Sequence, residues 1–421
     1  MSTPSAAPKV RHPRRTIAAL CIGTALSALN AGMIAVALVT IRSDFTLDVA
    51  TVTWVITSYY LASAALQPLM GRLADRYGPR RLFTFGMSVN VLTGVLTPFA
   101  PTFWLVCAGR VLLAVGMSTA FPAAAAIALI SVLIMAPPDG VVLKESPLQT
   151  IIDSDVPGIL TFSATIIALL MFLLGLPAHP NWWLIVVSLA AAVLFVWREL
   201  RCAKPFIDLR LLAANNRLVR VYVCFILVNL AFYTVLFGLP QLLEEHAHYS
   251  SDVVGLLIIP LAAFTIVLSP FVERMIDARG LRFALIVGGV GAVLGAAITG
   301  ALALSTAPIV VLLVCAAVGI PYCVLVISLT QALYVAAPAG QSGEAAGLFQ
   351  TAKCLAGISS TVIVGVSFSS GTTQTNWILI AGSITVLAVA YLVLVIVWGR
   401  RSASQQWRKV GLVADSNGAA A

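Results

Sequence analysis

Residues 71–81 read GRLADRYGPRR, and residues 273–283 read ERMIDARGLRF. Arg72, Asp75, Gly78 and Arg80 of the first stretch recur with the same spacing as Arg274, Asp277, Gly280 and Arg282 of the second. Each copy follows one apolar run (52–71, 253–272) and precedes another (82–100, 283–304). A run of about 20 apolar residues is what a helix needs to cross a bilayer core about 30 Å thick. The same charged hairpin therefore stands at matching points in two halves of the chain. The fold then depends on how many such runs exist and which way each one faces.

The chain has 421 residues, 60% of them hydrophobic and 10% charged. A soluble domain averages about 25% charged residues. The runs are long and continuous rather than short and alternating, which argues for spanning helices and against a membrane barrel. They fall at 17–41, 52–71, 82–100, 103–136, 157–178, 182–197, 219–243, 253–272, 283–304, 308–336, 345–368 and 377–398. An all-α integral membrane protein with about twelve spans is expected. Repeated halves with a substrate site at their interface are a common way to build a transporter.

Lys and Arg set the orientation. With the N-terminus on the cytoplasmic side, the inside segments hold Lys9–Arg15, Arg72–Arg81, Lys144, Arg198–Arg220, Arg274–Arg282 and Arg400–Lys409. The outside keeps Arg42, while Arg110 and Lys353 fall within spans. Both termini are expected in the cytoplasm of a bacterium, with the chain in its inner membrane. The bias holds only if Phe103 to Pro138, FWLVCAGRVLLAVGMSTAFPAAAAIALISVLIMAPP, crosses an odd number of times. As one helix the run 103–136 would be roughly 50 Å long, more than an ordinary span needs. The net charge of +9 is therefore read as topology rather than as a nucleic-acid surface.

GRLADRYGPRR resembles the loop between the second and third helices of the major facilitator superfamily. Gly71 permits close helix approach, and Gly78 a tight turn with positive φ. The resemblance implies that Arg72, Asp75, Arg76, Arg80 and Arg81, with their counterparts in the second half, latch the cytoplasmic side shut. LVCAGRVLLAVG resembles the family's fourth-helix motif, and Arg110 matches its buried arginine. An arginine within a span costs on the order of 3 kcal/mol or more, so a polar interior is expected around it; the alternative is snorkelling to the outer interface. RELRCAKPFIDLRLL and GEAAGLFQTAKCLAG resemble segments of fourteen-helix drug:proton antiporters, the EmrB/QacA-like group. In that group the fourth helix runs past a Phe-Pro like Phe121-Pro122, and a Gly-Pro-rich fifth helix and a sixth follow. Here AFPAAAAIALI resembles the fourth helix and SVLIMAPP the tail of the sixth. The resemblance implies an internal loss of about two helices near residue 130. The rival reading is a twelve-helix protein with one long, tilted fourth helix.

The resulting organisation is a tail (1–16), an incomplete N-terminal bundle of four spans (17–136), a cytoplasmic loop (137–156), two additional spans (157–197), a linker (198–218), a six-helix C-terminal bundle (219–398) and a second tail (399–421). The two bundles are expected to be pseudo-symmetric, and the additional spans could substitute for the missing part of the first.

A proton antiporter ordinarily needs an intramembrane carboxylate. Every acid reads as outside or cytoplasmic, Asp155 and Glu199 among the latter. ALSALNAGMIAVAL resembles a family motif that carries Asp where this chain has Asn30, and Asn does not titrate. Lys353 is the remaining candidate for coupling, since burial favours the neutral form of a lysine; the bland alternative is a structural lysine. With Arg110 and Lys353 as its intramembrane charges, the pocket is expected to favour neutral or anionic amphiphiles over dications. Cavity candidates are Asn30, Gln67, Asn229, Tyr233, Tyr322, Gln331, Gln350 and Lys353. Asn229 and Tyr233, at i and i+4, share a helix face. For each of these, an interhelical hydrogen bond is at least as good a reading as ligand contact. The seven cysteines read as small buried hydrophobes. His246 and His248 in EEHAH need not converge with their glutamates, so no metal or cofactor is expected. There is no phosphate-binding GxxxxGK[ST] loop and no catalytic carboxylate pair, so no enzyme is expected.

The leading expectation is proton-coupled efflux of small amphiphiles. A non-transporting relative and an importer of an anionic metabolite remain as alternatives. The oligomeric state is left open.

Overall fold

The computed structural model describes residues 41, 44–46, 54–77, 79–115, 155–175, 181–202, 207, 209–337, 342–368 and 371–418. Among them the regular elements are all helical: α1 (Trp54–Tyr77), α2 (Pro79–Leu96), α3 (Phe103–Val115), α4 (Val156–Gly175), α5 (Trp182–Glu199), α6 (Leu209–Ala214), α7 (Asn216–Gln241), α8 (Ser251–Arg279), α9 (Leu281–Thr299), α10 (Pro308–Ala336), α11 (Ser342–Ser367) and α12 (Gln374–Gly418). Seven of these, α5 and α7–α12, contain windows long and apolar enough to cross a membrane. α3 and α4 are apolar but shorter. Most of the expected first span and all of the 103–138 run beyond Val115 lie outside the described residues.

By contacts the chain divides into two compact units: residues 1–59 with 76–143, and residues 60–75 with 144–421. In the first, α2 and α3 form a hairpin closed by the 3-10 turn Thr97–Phe99. Val55 packs on Phe103, Val106 and Cys107 of α3. Phe45 meets the Phe103 ring edge-on at 6.3 Å.

In the second unit α4 and α5 pair as a hairpin. Phe162 lies 5.5 Å from Phe195, and the Ser188 hydroxyl donates to the Thr165 carbonyl at 3.0 Å. The inner side of this hairpin joins Cys354 and Ile358 of α11, with Tyr60, Leu61 and Leu69 of α1 alongside. The outer side of α5 exposes Trp182, Trp183, Val186, Leu189, Val193 and Trp197. In water such a face would be an aggregation liability; in a bilayer it is the surface that lipid tails cover. By contacts the α4–α5 hairpin thus belongs to the same unit as the C-terminal helices.

At two contacts, α9 with α10 and α8 with α10, the remaining helices approach backbone to backbone. Pro321 lacks the N–H that would bond the Ala317 carbonyl within α10. That carbonyl points at Gly295 of α9, where a Cβ would stand 2.8 Å from the carbonyl carbon and closer still to its oxygen. α8 and α10 run parallel, and small residues of α10 meet backbone of α8 at a constant offset. The Cys315 thiol faces the Leu257 carbonyl, Gly319 faces Leu261, and the Cys323 thiol faces the Thr265 carbonyl. Small residues at every fourth position are how membrane helices come close enough for dispersion to hold them.

The second charged hairpin lies at the α8–α9 junction. Gly280 caps both helices with φ +84 and ψ 156, and its N–H bonds the Ile276 carbonyl at 2.8 Å. That region is essentially reserved for glycine. We expect Gly280→Ala to cost about 1–3 kcal/mol through backbone strain alone, since nothing lies within 4 Å of the added methyl. A lowered apparent Tm in detergent would show it, and an unchanged one would remove the turn from the stability account.

Candidate functional site

Four of the candidate residues in the second unit, Asn229, Tyr233, Tyr322 and Lys353, lie on α7, α10 and α11. Asn229 sits in mid-α7 with no exposed surface. Its amide donates to the Phe225 carbonyl one turn back at 2.8 Å. Its side-chain oxygen accepts from the Tyr322 hydroxyl of α10 at 3.1 Å. The Tyr322 ring stacks on Phe232 with centroids 3.6 Å apart. A buried amide in an apolar bundle must be satisfied, and this one is, by its own helix and by a neighbour.

Tyr233 stacks on Phe237 at 5.6 Å. Its ring lies against Gly357 of α11, where Tyr60 of α1 also approaches. Asn229 and Tyr233 therefore do share one face of α7, but they address different partners, α10 and α11. Lys353, one turn before Gly357, is half-buried. Both Lys353 and Tyr233 lie within electrostatic range of the Tyr322 hydroxyl. These four candidates form one cluster.

The others do not join it. Gln350 is exposed, and Gln331 is half-buried on α10 nine residues beyond Tyr322. Gln67 lies on α1, and Asn30 lies outside the described residues. Of the first charged hairpin, Gly71, Arg72, Asp75 and Arg76 lie on α1 and Arg80 and Arg81 on α2, while Gly78 is outside the described residues. In the second hairpin Arg274, Asp277 and Arg282 are all exposed.

Beside the cluster is an apolar cavity of about 40 Å³, lined by Val228, Phe232, Val318, Tyr322 and Ala388 among others. That is room for about three or four waters, at roughly 10–15 Å³ each. A drug-sized ligand needs about 300–1,000 Å³, far more than this cavity holds. What the cluster offers is an aromatic, mostly apolar wall with one amide–phenol pair and one cation.

The first unit holds Arg110, the other charge that the sequence places within a span. Arg110 is 7% exposed. Its Nε donates to the Val55 carbonyl at 3.2 Å, and its guanidinium lies over the Tyr59 ring at 4.9 Å. A snorkelling arginine would be solvated; this one is turned inward.

Sequence reasoning missed the tyrosines. Tyr59 and Tyr60 are adjacent in TSYYLASA, and this tandem within an apolar run was the available signal. The sequence reads Asp155 and Glu199 as cytoplasmic acids and gives no sign that both are buried, 7% and 3% exposed.

The Asn229–Tyr322 bond is testable as a pair. Asn229→Leu or Tyr322→Phe alone leaves a buried polar group unmatched, at about 1–3 kcal/mol. The double variant removes both and is expected to be no less stable than either single one. Additive losses in apparent Tm would mean that the bond does not form.

A family model described as Major Facilitator Superfamily matches residues 20–129 and 155–361. The uncharacterised MFS-type transporter YwoD of Bacillus subtilis is 32% identical over 413 residues, 86% of this chain and 91% of that one. The riboflavin transporter RibZ of Clostridioides difficile is 24% identical over 316 residues, 62% of this chain and 68% of its own. The multidrug resistance protein Stp of Mycobacterium tuberculosis is 26% identical over 328 residues, 65% of this chain and 60% of its own.

Proposed function

The chain belongs to the Major Facilitator Superfamily, and from that premise we propose that it exports small amphiphilic molecules across a bacterial inner membrane, driven by the proton gradient. The observation that carries this reading is the wall built by Asn229, Phe232, Tyr233 and Tyr322: aromatic, apolar and sparing in polar groups. Such walls suit ligands chosen by shape and greasiness rather than by a fixed set of hydrogen bonds. Kinship with a multidrug resistance protein points the same way. With Arg110 and Lys353 as the intramembrane charges, neutral or anionic compounds are favoured over dications. The distribution of Lys and Arg supports cytoplasmic termini.

Membership of the fourteen-helix antiporter group, with two helices lost, belongs to the same proposal. The alignment with YwoD is 413 positions long, yet 86% of 421 residues is about 360, so about 50 positions lie opposite no residue of this chain. The same comparison leaves about 50 for RibZ and for Stp. About 50 residues make two spans with a turn, and the family model itself breaks between 129 and 155. An even loss preserves the orientation of everything downstream.

Two other readings each have an observation behind them. The lost segment favours a protein that no longer transports. The positive charges favour uptake of an anionic metabolite, and the riboflavin transporter among the relatives is a case of a related chain named for a metabolite.

Accumulation of neutral, anionic and cationic fluorescent amphiphiles in an efflux-deficient bacterial host separates the readings. The native chain would be compared with an Asp75→Asn, Arg110→Ala double variant at matched membrane levels, with and without a protonophore. Lower accumulation of neutral and anionic dyes with the native chain alone, reversed by the protonophore, is the expected result. Higher accumulation of anions would support uptake. Equal accumulation throughout would support the non-transporting reading.

A further inference from the structure

Two buried carboxyl groups meet where α4 begins and α5 ends. Asp155 immediately precedes α4, and its side chain is 1% exposed. One of its oxygens, Oδ1, is fully engaged: Arg198 donates to it from Nε at 2.8 Å and from Nη2 at 2.6 Å, and the Gly158 N–H donates at 3.1 Å. Its other oxygen, Oδ2, is buried with no hydrogen-bond partner. Glu199 is the last residue of α5 and is 3% exposed. Its Oε2 accepts the Ile207 N–H at 3.2 Å. Its Oε1 turns toward Gly158. A Cβ built on Gly158 would stand 2.6 Å from Glu199 Oε1 and 2.7 Å from Asp155 Oδ2. The two oxygens converge on one point that only a glycine leaves open.

Two ionised carboxylates brought this close out of water repel each other, and the protein's usual answer is to keep one of them neutral. We propose that Glu199 and Asp155 hold a proton between them: Glu199 is protonated at Oε1 and donates to Asp155 Oδ2. The proton comes from bulk water, and its capture forms one O–H bond and removes one negative charge. This gives the buried Oδ2 its missing donor while Oδ1 keeps its arginine.

The surrounding charges agree with that division. Burial works against a charge on Asp155, but the Arg198 guanidinium, the Gly158 N–H and the Cys202 thiol outweigh it and hold its carboxyl below the usual range. Asp155 is therefore the member that stays ionised. Of the other cations nearby, Arg201 lies over the Trp197 ring at 4.5 Å, and Arg210 donates to the Leu200 carbonyl. The element packed against this end of the hairpin, α11, contributes the Cys354 side chain to the same cluster as Ile207. The proton site stands whether or not the chain couples transport to protons.

Infrared difference spectroscopy on the full chain in lipid nanodiscs at neutral pH tests it. The native protein should show a carboxylic-acid C=O stretch, and Glu199→Gln should abolish it. Asp155→Asn should shift that band, because the acceptor of the acid's hydrogen bond changes. Glu199→Gln should also reach the membrane at native levels, since its amide offers Asp155 the same donor that the protonated acid offers. A native spectrum without the band, or a band indifferent to Glu199→Gln, would overturn the proposal. So would a Glu199→Gln protein as poorly folded as Glu199→Ala, or thermal stability that rises with sodium concentration in the native chain but not in Glu199→Gln, which would put a cation where we place the proton.

Discussion

Replacing Gly295 with alanine is expected to leave little folded protein in the membrane. The α9–α10 contact at this point is backbone against backbone: the space for a Cβ is taken by the Ala317 carbonyl group, whose carbon would be 2.8 Å away. Overpacking a core costs about 1–3 kcal/mol when side chains can yield, and more when they cannot. Here no side chain stands in the way to rotate aside. Pro321 is part of the cause, because it removes the N–H that would otherwise hold that carbonyl along the axis of α10. The control is Gly382→Ala on α12, where nothing lies within 4 Å; helix propensity alone should make it neutral or slightly stabilising. Detergent-extracted yield and the apparent Tm of the two variants decide it. Equal behaviour would mean that α9 and α10 are farther apart in the membrane than in this structure.

Arg110→Ala is expected to cut transport roughly 10- to 100-fold at matched expression, the equivalent of a hydrogen bond from a charged donor worth about 1.5–3 kcal/mol. The guanidinium both donates to the Val55 carbonyl and covers the Tyr59 ring, so it ties α3 to the start of α1. Lysine keeps the charge but lacks the flat surface and the forked donors, so Arg110→Lys should fall between native and alanine. Initial efflux rates in the assay proposed above measure this. An Arg110→Ala protein that pumps at the native rate would reduce the residue to a packing role.

The spans were legible because each needs only a long enough apolar run. The runs 219–243, 283–304 and 308–336 correspond to α7, α9 and α10, with ends displaced by a few residues. The second charged hairpin was legible too, since the need for a glycine at a positive-φ turn shows in one letter, and Gly280 has φ +84. The site was legible in part. Asn229, Tyr233, Tyr322 and Lys353 stood out as polar or aromatic letters within apolar runs, and they do gather. Gln350 stood out equally and does not join them, because position along α11 says nothing of which neighbour that face meets.

Composition, run length and the placement of Lys and Arg determined a helical membrane protein in two related parts, and the repeated hairpin pointed to its family. Each of these depends on residues near one another in the chain or on sums over all of it. The tertiary structure alone decided that Asn229 is satisfied by Tyr322, 93 residues away, and that Asp155 and Arg198 meet across 43. Acids that read only as cytoplasmic are buried for the same reason: a hairpin folds back and brings its two ends together. Burial belongs to the packed arrangement of helices, and no local pattern of letters encodes the distance between them.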